Sequence, residues 1–159
     1  MSTGVAESTE VLCEEAFRAH WTNVFRVSLA WTNDWGAAED IAQEAFVRLW
    51  IHRHQLDWSS SVLPWLLRAA RNLATDRFRK VRRLMSGTSL PSTLEEGARD
   101  RWINVRDSMA RLSNLERGAL VSTTVIGLTY AEAASLLGVT EGAARAAVSR
   151  ARTKLEADR

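Results

Sequence analysis

The stretch "LTYAEAASLLGVTEGAARAAVSRARTKL", residues 128–155, reads as two helices broken by a turn. Thr129 is spaced to cap the first helix, and Glu132, three residues on, completes a capping box by reaching back to the cap. Ala133, Leu136 and Leu137 form its buried side, and Gly138 admits the positive φ that ends it. Thr140 then caps a second helix, with Glu141 in its first turn, where the positive end of the helix dipole favours an acid. Small residues at 143, 144, 146 and 147 let this helix pack closely. Arg145, Ser149, Arg150 and Arg152 lie along a solvent-facing sector suited to a major groove. A helix–glycine–helix pattern also occurs in plain antiparallel pairs. What favours DNA is the excess of arginine over acid from 145 to 152, because arginine serves phosphates and makes bidentate contacts to guanine.

Upstream of this stretch, residues 85–100, "MSGTSLPSTLEEGARD", are rich in Ser, Thr and Gly, carry Pro91 and show no sustained apolar period, which marks a linker. Before it, apolar residues recur at helical and not alternating spacing, so no strands are expected. In "AEDIAQEAFVRLW" (38–50), Ile41, Ala42, Ala45, Phe46, Leu49 and Trp50 advance by threes and fours. They leave Glu39, Asp40, Gln43 and Glu44 toward the other side. Trp21, Val24, Phe25 and Leu29 make a similar stripe earlier in the chain. In "PWLLRAARNLATDRFRKVRR" (64–83), Pro64 suits a first helical turn, and seven bases face the single acid Asp76. The expected fold is all-α: two small helical domains, 10–84 and 104–159, joined by a flexible linker over 85–103, the second domain a helix-turn-helix. Six of the seven tryptophans lie between 21 and 65, giving the first domain the larger core. Trp21, Trp31 and Trp50 are read as part of it.

Charge is spread unevenly. Residues 1–50 hold eight acids against three arginines, and residues 51–83 hold eight bases against two acids. The first part suits a cationic or neutral partner, the second a polyanion. The single cysteine, Cys13, cannot form an internal disulfide, and His20, His52 and His54 offer no metal-ligand spacing, so no metal and no cofactor is expected. Cys13 stands among acids, which raise a thiol's pKa instead of activating it. Gly36, Gly87 and Gly97 stand alone and form no phosphate loop. With no nucleophile, base and orienting group in sight, the chain is not read as an enzyme. The acidic N-terminus lacks the apolar core of a signal peptide, and no apolar run approaches the roughly 18 residues of a membrane span. A soluble cytoplasmic protein is expected.

"AEDIAQEAFVRLW", then "PWLLRAARNLATDRFRK", then "LERGALVSTTVIGLTYAEAASLLGVTEGAARAAVSRAR" together resemble bacterial RNA polymerase sigma factors of the sigma-70 family. The likeness is to the short, two-domain extracytoplasmic-function group and covers about residues 14–83 and 104–156. It rests on the pairing of "ED-x-x-Q-x-x-F" with a second motif falling on Trp65, Leu66, Asn72, Asp76 and Arg79. The resemblance implies that the helix over 38–50 docks on the clamp helices of the β′ subunit of core polymerase, with Asp40, Gln43 and Glu44 as contacts. It implies that the loop "QLDWSSSVLP" captures an unstacked base of the minus-ten element while the basic helix lines the melted strand. Arg68, Arg71, Arg77, Arg79 and Lys80 would hold the backbone, and Asp57, Trp58 and Asn72 the bases. Arg145, Ser149, Arg150 and Arg152 would read the minus-thirty-five element beside the β flap. An anti-sigma factor, carried by many of the group, is a further partner the resemblance allows. The group's usual "G-T-V-K/R-S-R" reads GAARAA at 142–147, and its common Leu-Pro is Leu112–Ser113. Two other readings stay open at this point. A helix-turn-helix regulator acting without polymerase would leave the acidic 39–50 and basic 64–83 segments unexplained. A degenerate sigma relative would bind polymerase without directing initiation.

Overall fold

The computed structural model describes residues 3–81 and 96–157, and all regular structure among them is helical. The first unit comprises α1 (Thr3–Thr32), α2 (Trp35–Ile51) and α3 (Leu63–Val81). The second comprises α4 (Glu96–Ala110), α5 (Asn114–Thr124), α6 (Tyr130–Leu137) and α7 (Glu141–Glu156). The linker reading lies outside the described residues as far as 95. Its last part, expected to stay irregular to 103, is already the first half of α4. "EGARDRW" lacks an apolar period, but apart from Gly97 it carries few residues that oppose a helix.

In the first unit α1, α2 and α3 pack on one another around Val24, Val27, Ala38, Ala42, Ala45, Leu49, Leu66, Leu67 and Ala70, each at most 1% exposed. The α1–α2 corner takes two residues. Asn33 adopts a left-handed φ of 49° and Asp34 caps α2 by accepting from the Ala37 N–H at 2.9 Å. Trp31 is core, and Trp21 is partly buried against it. Trp50 is a correction: it is 43% exposed, with the Arg53 guanidinium 4.1 Å over its ring. The helical stripe ends at Leu49, and the next residue turns outward.

Each helix end read from the sequence in the second unit is present. Thr129 and Glu132 form the capping box of α6, Gly138 ends it at φ 68°, and the Thr140 side chain accepts from the Ala143 N–H. Ser113 and Glu116 form a further capping box on α5. Ala144, Ala147, Val148 and Ala151 bury α7, whereas Ala146 faces solvent.

The two units pack against each other through α1 with α5 and α3 with α6. Arg117 of α5 is 7% exposed and donates from Nε to the Ala30 carbonyl at 2.7 Å. Arg71 of α3 donates from Nη2 to the Leu137 carbonyl at 3.1 Å. Gly118 lets α5 approach α1: a Cβ there would lie 2.6 Å from Trp31 Nε1.

Candidate nucleic-acid and polymerase interfaces

At about 100° per residue, Arg68, Asn72, Thr75 and Arg79 fall at spacings of four, three and four and share one stripe of α3. All four are exposed. The remaining basic residues of the helix divide. Arg71 is half-buried against the α6 turn, and Arg77 stands on the other side of α3, with Nη1 3.4 Å from Asp40 of α2. Lys80 lines the same α2–α3 cleft as Arg77, beside Asp40, Glu44 and Asp76. In the preceding loop, Asp57 is exposed and accepts from the Ser59 N–H at 3.0 Å and from its hydroxyl. These bonds hold the Asp57 carboxyl below its usual range. Trp58 is half-buried, its indole N–H donating to the Arg53 carbonyl at 2.8 Å.

The outer face of α2 changes along its length. Asp40, Gln43 and Glu44 occupy the first half, and Val47, Trp50 and Ile51, 43–63% exposed, the second. Arg48 pairs with Glu44 at 3.6 Å. Beside this face an apolar groove runs between α1 and α2, walled by Phe17, Phe46, Val47 and Trp50 and rimmed by Glu10, Glu14 and Gln43. Exposed apolar side chains in a continuous patch signal a docking surface. The sequence reading assigned Trp50 inward by its helical spacing and gave Val47 and Ile51 no role. Cys13 also lines this groove. Burial is the main force pushing its thiol up, with Arg53 opposing and Glu10 adding, so it stays protonated at neutral pH.

On α7, Arg145, Ser149, Arg150 and Arg152 are all exposed. Arg145 donates from Nη2 to Glu141 at 2.8 Å and lies over the Tyr130 ring at 4.4 Å. Arg150 stands about 140° farther round the helix, where its Nε is 3.4 Å from Glu116. Lys154 donates to both Glu116 oxygens at 2.8 and 3.1 Å. Lys154 holds the Glu116 carboxyl below its ordinary value of 4.5, against the upward push of burial and with help from the Ser113 N–H and Arg150. A depressed carboxylate pKa stabilises the fold above the unfolded value, and that share is lost as pH falls through the folded value. Thermal melts taken downward from pH 4.5 should therefore show a loss of stability that Glu116→Gln lacks. Parallel curves for the two proteins would contradict it.

Residues 16–84 match the Sigma-70 region 2 family and residues 103–155 the Sigma-70 region 4 family. The chain is 36% identical over 152 residues to the ECF RNA polymerase sigma factor SigC of Mycobacterium tuberculosis, covering 91% of this chain and 82% of that one. The chain belongs to the extracytoplasmic-function group of RNA polymerase sigma factors. It is also 30% identical to the ECF RNA polymerase sigma factor SigM of Bacillus subtilis, across 91% of this chain and 93% of that protein. Among solved structures, the sigma factor RpoE of Bartonella quintana, held there by the anti-sigma factor NepR, superposes with a TM-score of 0.74. That match covers 90% of this chain and 93% of the other at 20% identity, and so speaks for the fold. Sigma factors are transcription initiation factors and not catalysts. This sigma factor carries both family regions in order, and no helix among its described residues is long and apolar enough to cross a membrane.

Proposed function

We propose that this sigma factor binds core RNA polymerase through the outer face of α2, with Asp40, Gln43 and Glu44 meeting the β′ clamp helices. It then directs initiation at promoters whose minus-ten element is melted onto α3. Arg68, Asn72 and Arg79 line the non-template strand, Asp57 and Trp58 shape the base-capturing loop, and Arg71, Arg77 and Lys80 flank the stripe. Arg145, Ser149, Arg150 and Arg152 face the minus-thirty-five element beside the β flap. The functional units are 10–84 and 104–159, joined over 85–103, whose last eight residues open α4, and the protein acts in the cytoplasm without a catalytic step of its own. The single observation that carries this reading is the exposed Arg68–Asn72–Thr75–Arg79 stripe. A helix stabilised only by solvation offsets such a stripe with acids at i±4. Here the α3 acid, Asp76, lies off it.

The test is transcription by purified core polymerase on a genomic fragment library, with and without the protein, reading RNA starts. New starts sharing two spaced upstream motifs are expected. Core binding without new starts would identify a degenerate relative, and neither would return the plain DNA-binding regulator. Gln43→Ala should weaken core binding roughly tenfold while leaving the thermal melt unchanged, since an exposed side chain away from packing costs within about 0.5 kcal/mol of stability. Unaltered core affinity would remove Gln43 from the interface.

A further inference from the structure

Glu116 is 4% exposed, and a buried carboxylate is costly unless it is paired. Both its cationic partners come from α7: Lys154 Nζ at 2.8 Å and Arg150 Nε at 3.4 Å. The atom that Arg150 uses is the informative detail. Arginine reads guanine through a pair of N–H groups. Nε is the Arg150 atom that meets the carboxylate, no hydrogen bond among the described residues engages the terminal Nη pair, and the Arg150 side chain is 55% exposed. Arg145, by contrast, commits Nη2 itself to Glu141 and sits over the Tyr130 ring. Between the two arginines the exposed sector of α7 carries Gly142, Ala146, Ser149 and Thr153, all short, with Glu156 only at its C-terminal end.

We propose that Glu116 is a positioning residue for promoter recognition, holding Arg150 by Nε so that the Nη pair reads a guanine of the upstream element. The proposal rests on the assignment of α7 to that element. Glu116 does not touch DNA. Lys154 balances the remainder of its charge, so the three-residue cluster stays net positive and does not repel phosphates.

The experiment uses the holoenzyme and a promoter recovered from the genomic-fragment transcription, with its upstream element randomised. Sequencing the transcribed templates gives a base preference at each position. In the wild type one guanine position should carry a preference of roughly tenfold or more, the range of a bidentate contact. Arg150→Ala, Arg150→Lys and Glu116→Gln should each flatten that position to about twofold and leave the other positions as they were. The glutamine amide oxygen still accepts from the Ser113 N–H, so the cap on α5 survives. A merely structural Glu116 would lower transcription from all sequences alike with the profile unchanged, which overturns the proposal. So does a profile flattened by Arg150→Ala but not by Glu116→Gln. If Glu116→Gln fails to fold, Arg150→Lys carries the test, because it keeps the charge and the buried carboxylate but loses the fork. A retained guanine preference in that variant is then the overturning result. A wild-type profile with no upstream preference at all removes the assignment of α7 itself, and the proposal with it.

Discussion

Replacing Arg68 and Arg79 together with alanine should lower promoter melting by roughly 100-fold while core polymerase is bound as before. Both guanidiniums lie on the exposed stripe of α3, and neither supports the fold: the core side of the helix is Leu66, Leu67, Ala70 and Ala74. A hydrogen bond to a charged group is worth about 1.5–3 kcal/mol when its loss leaves the partner exposed to poorer solvation. Two such contacts to phosphates therefore account for about two orders of magnitude. The salt dependence gives a second, independent reading. Each phosphate contact on a single strand adds about 0.7 to the slope of log affinity against log salt, so the double variant should be shallower by about 1.4. Arg77→Ala serves as the internal comparison. Its side chain reaches Asp40 across the α2–α3 cleft, and a half-exposed ion pair of that kind is worth about 0–1 kcal/mol. It should leave the salt slope alone and act, if anywhere, on core binding through Asp40. Equal loss of melting in Arg77→Ala and in the double variant would break the division of α3 into two faces.

That division was only half legible in the sequence. Counting charges places a basic helix at 64–83 but treats all its bases alike, because composition carries no direction. Direction comes from which neighbours pack on the helix: α2 covers the side bearing Arg77, and the α6 turn covers Arg71. Both neighbours are distant in sequence, so no local pattern announces them. The helix ends were the opposite case. Thr129, Glu132, Gly138 and Thr140 act within one turn of themselves, and each does in the structure what its spacing implied. Trp50 shows where the periodicity rule fails. A large apolar residue is assigned inward because exposure is costly, yet Trp50 stays 43% exposed beneath the Arg53 guanidinium. Glu116 was invisible for the same reason as Arg71: its capping partner is three residues away, but its cationic partners are a helix away.

Arg117→Met should lower the melting temperature by roughly 5–10 °C, the largest stability loss expected of any single polar side chain among the described residues. An α-helix leaves its last four carbonyls without partners inside the helix. At the end of α1, the Leu29 carbonyl is taken by the Asn33 N–H, and the Ala30 carbonyl by Arg117 from the other unit. At the end of α6, the Ala134 carbonyl is taken by the Val139 N–H, and the Leu137 carbonyl by Arg71, again from the other unit. Each unit thus supplies an arginine to the negative pole of a helix in its partner, where the dipole favours a cation. The two are not equal. Arg71 is half-exposed, and water replaces its bond at small cost. Arg117 is buried and also donates to the Leu112 carbonyl at 2.7 Å, to that of Met109 at 3.3 Å and to the Asn114 side chain. Methionine fills much of the volume but satisfies none of these acceptors, and a buried acceptor left unmade costs about 1–3 kcal/mol. Gly118→Val strikes the same seam by sterics, since even its first side-chain carbon meets the Trp31 indole at 2.6 Å. Small-angle scattering separates the two consequences. If the reciprocal caps and the Gly118 contact hold the units together, a protein carrying both Arg117→Met and Gly118→Val should show a larger radius of gyration with its helical content intact. An unchanged radius and melt would mean that neither the reciprocal caps nor the Gly118 contact holds the units together.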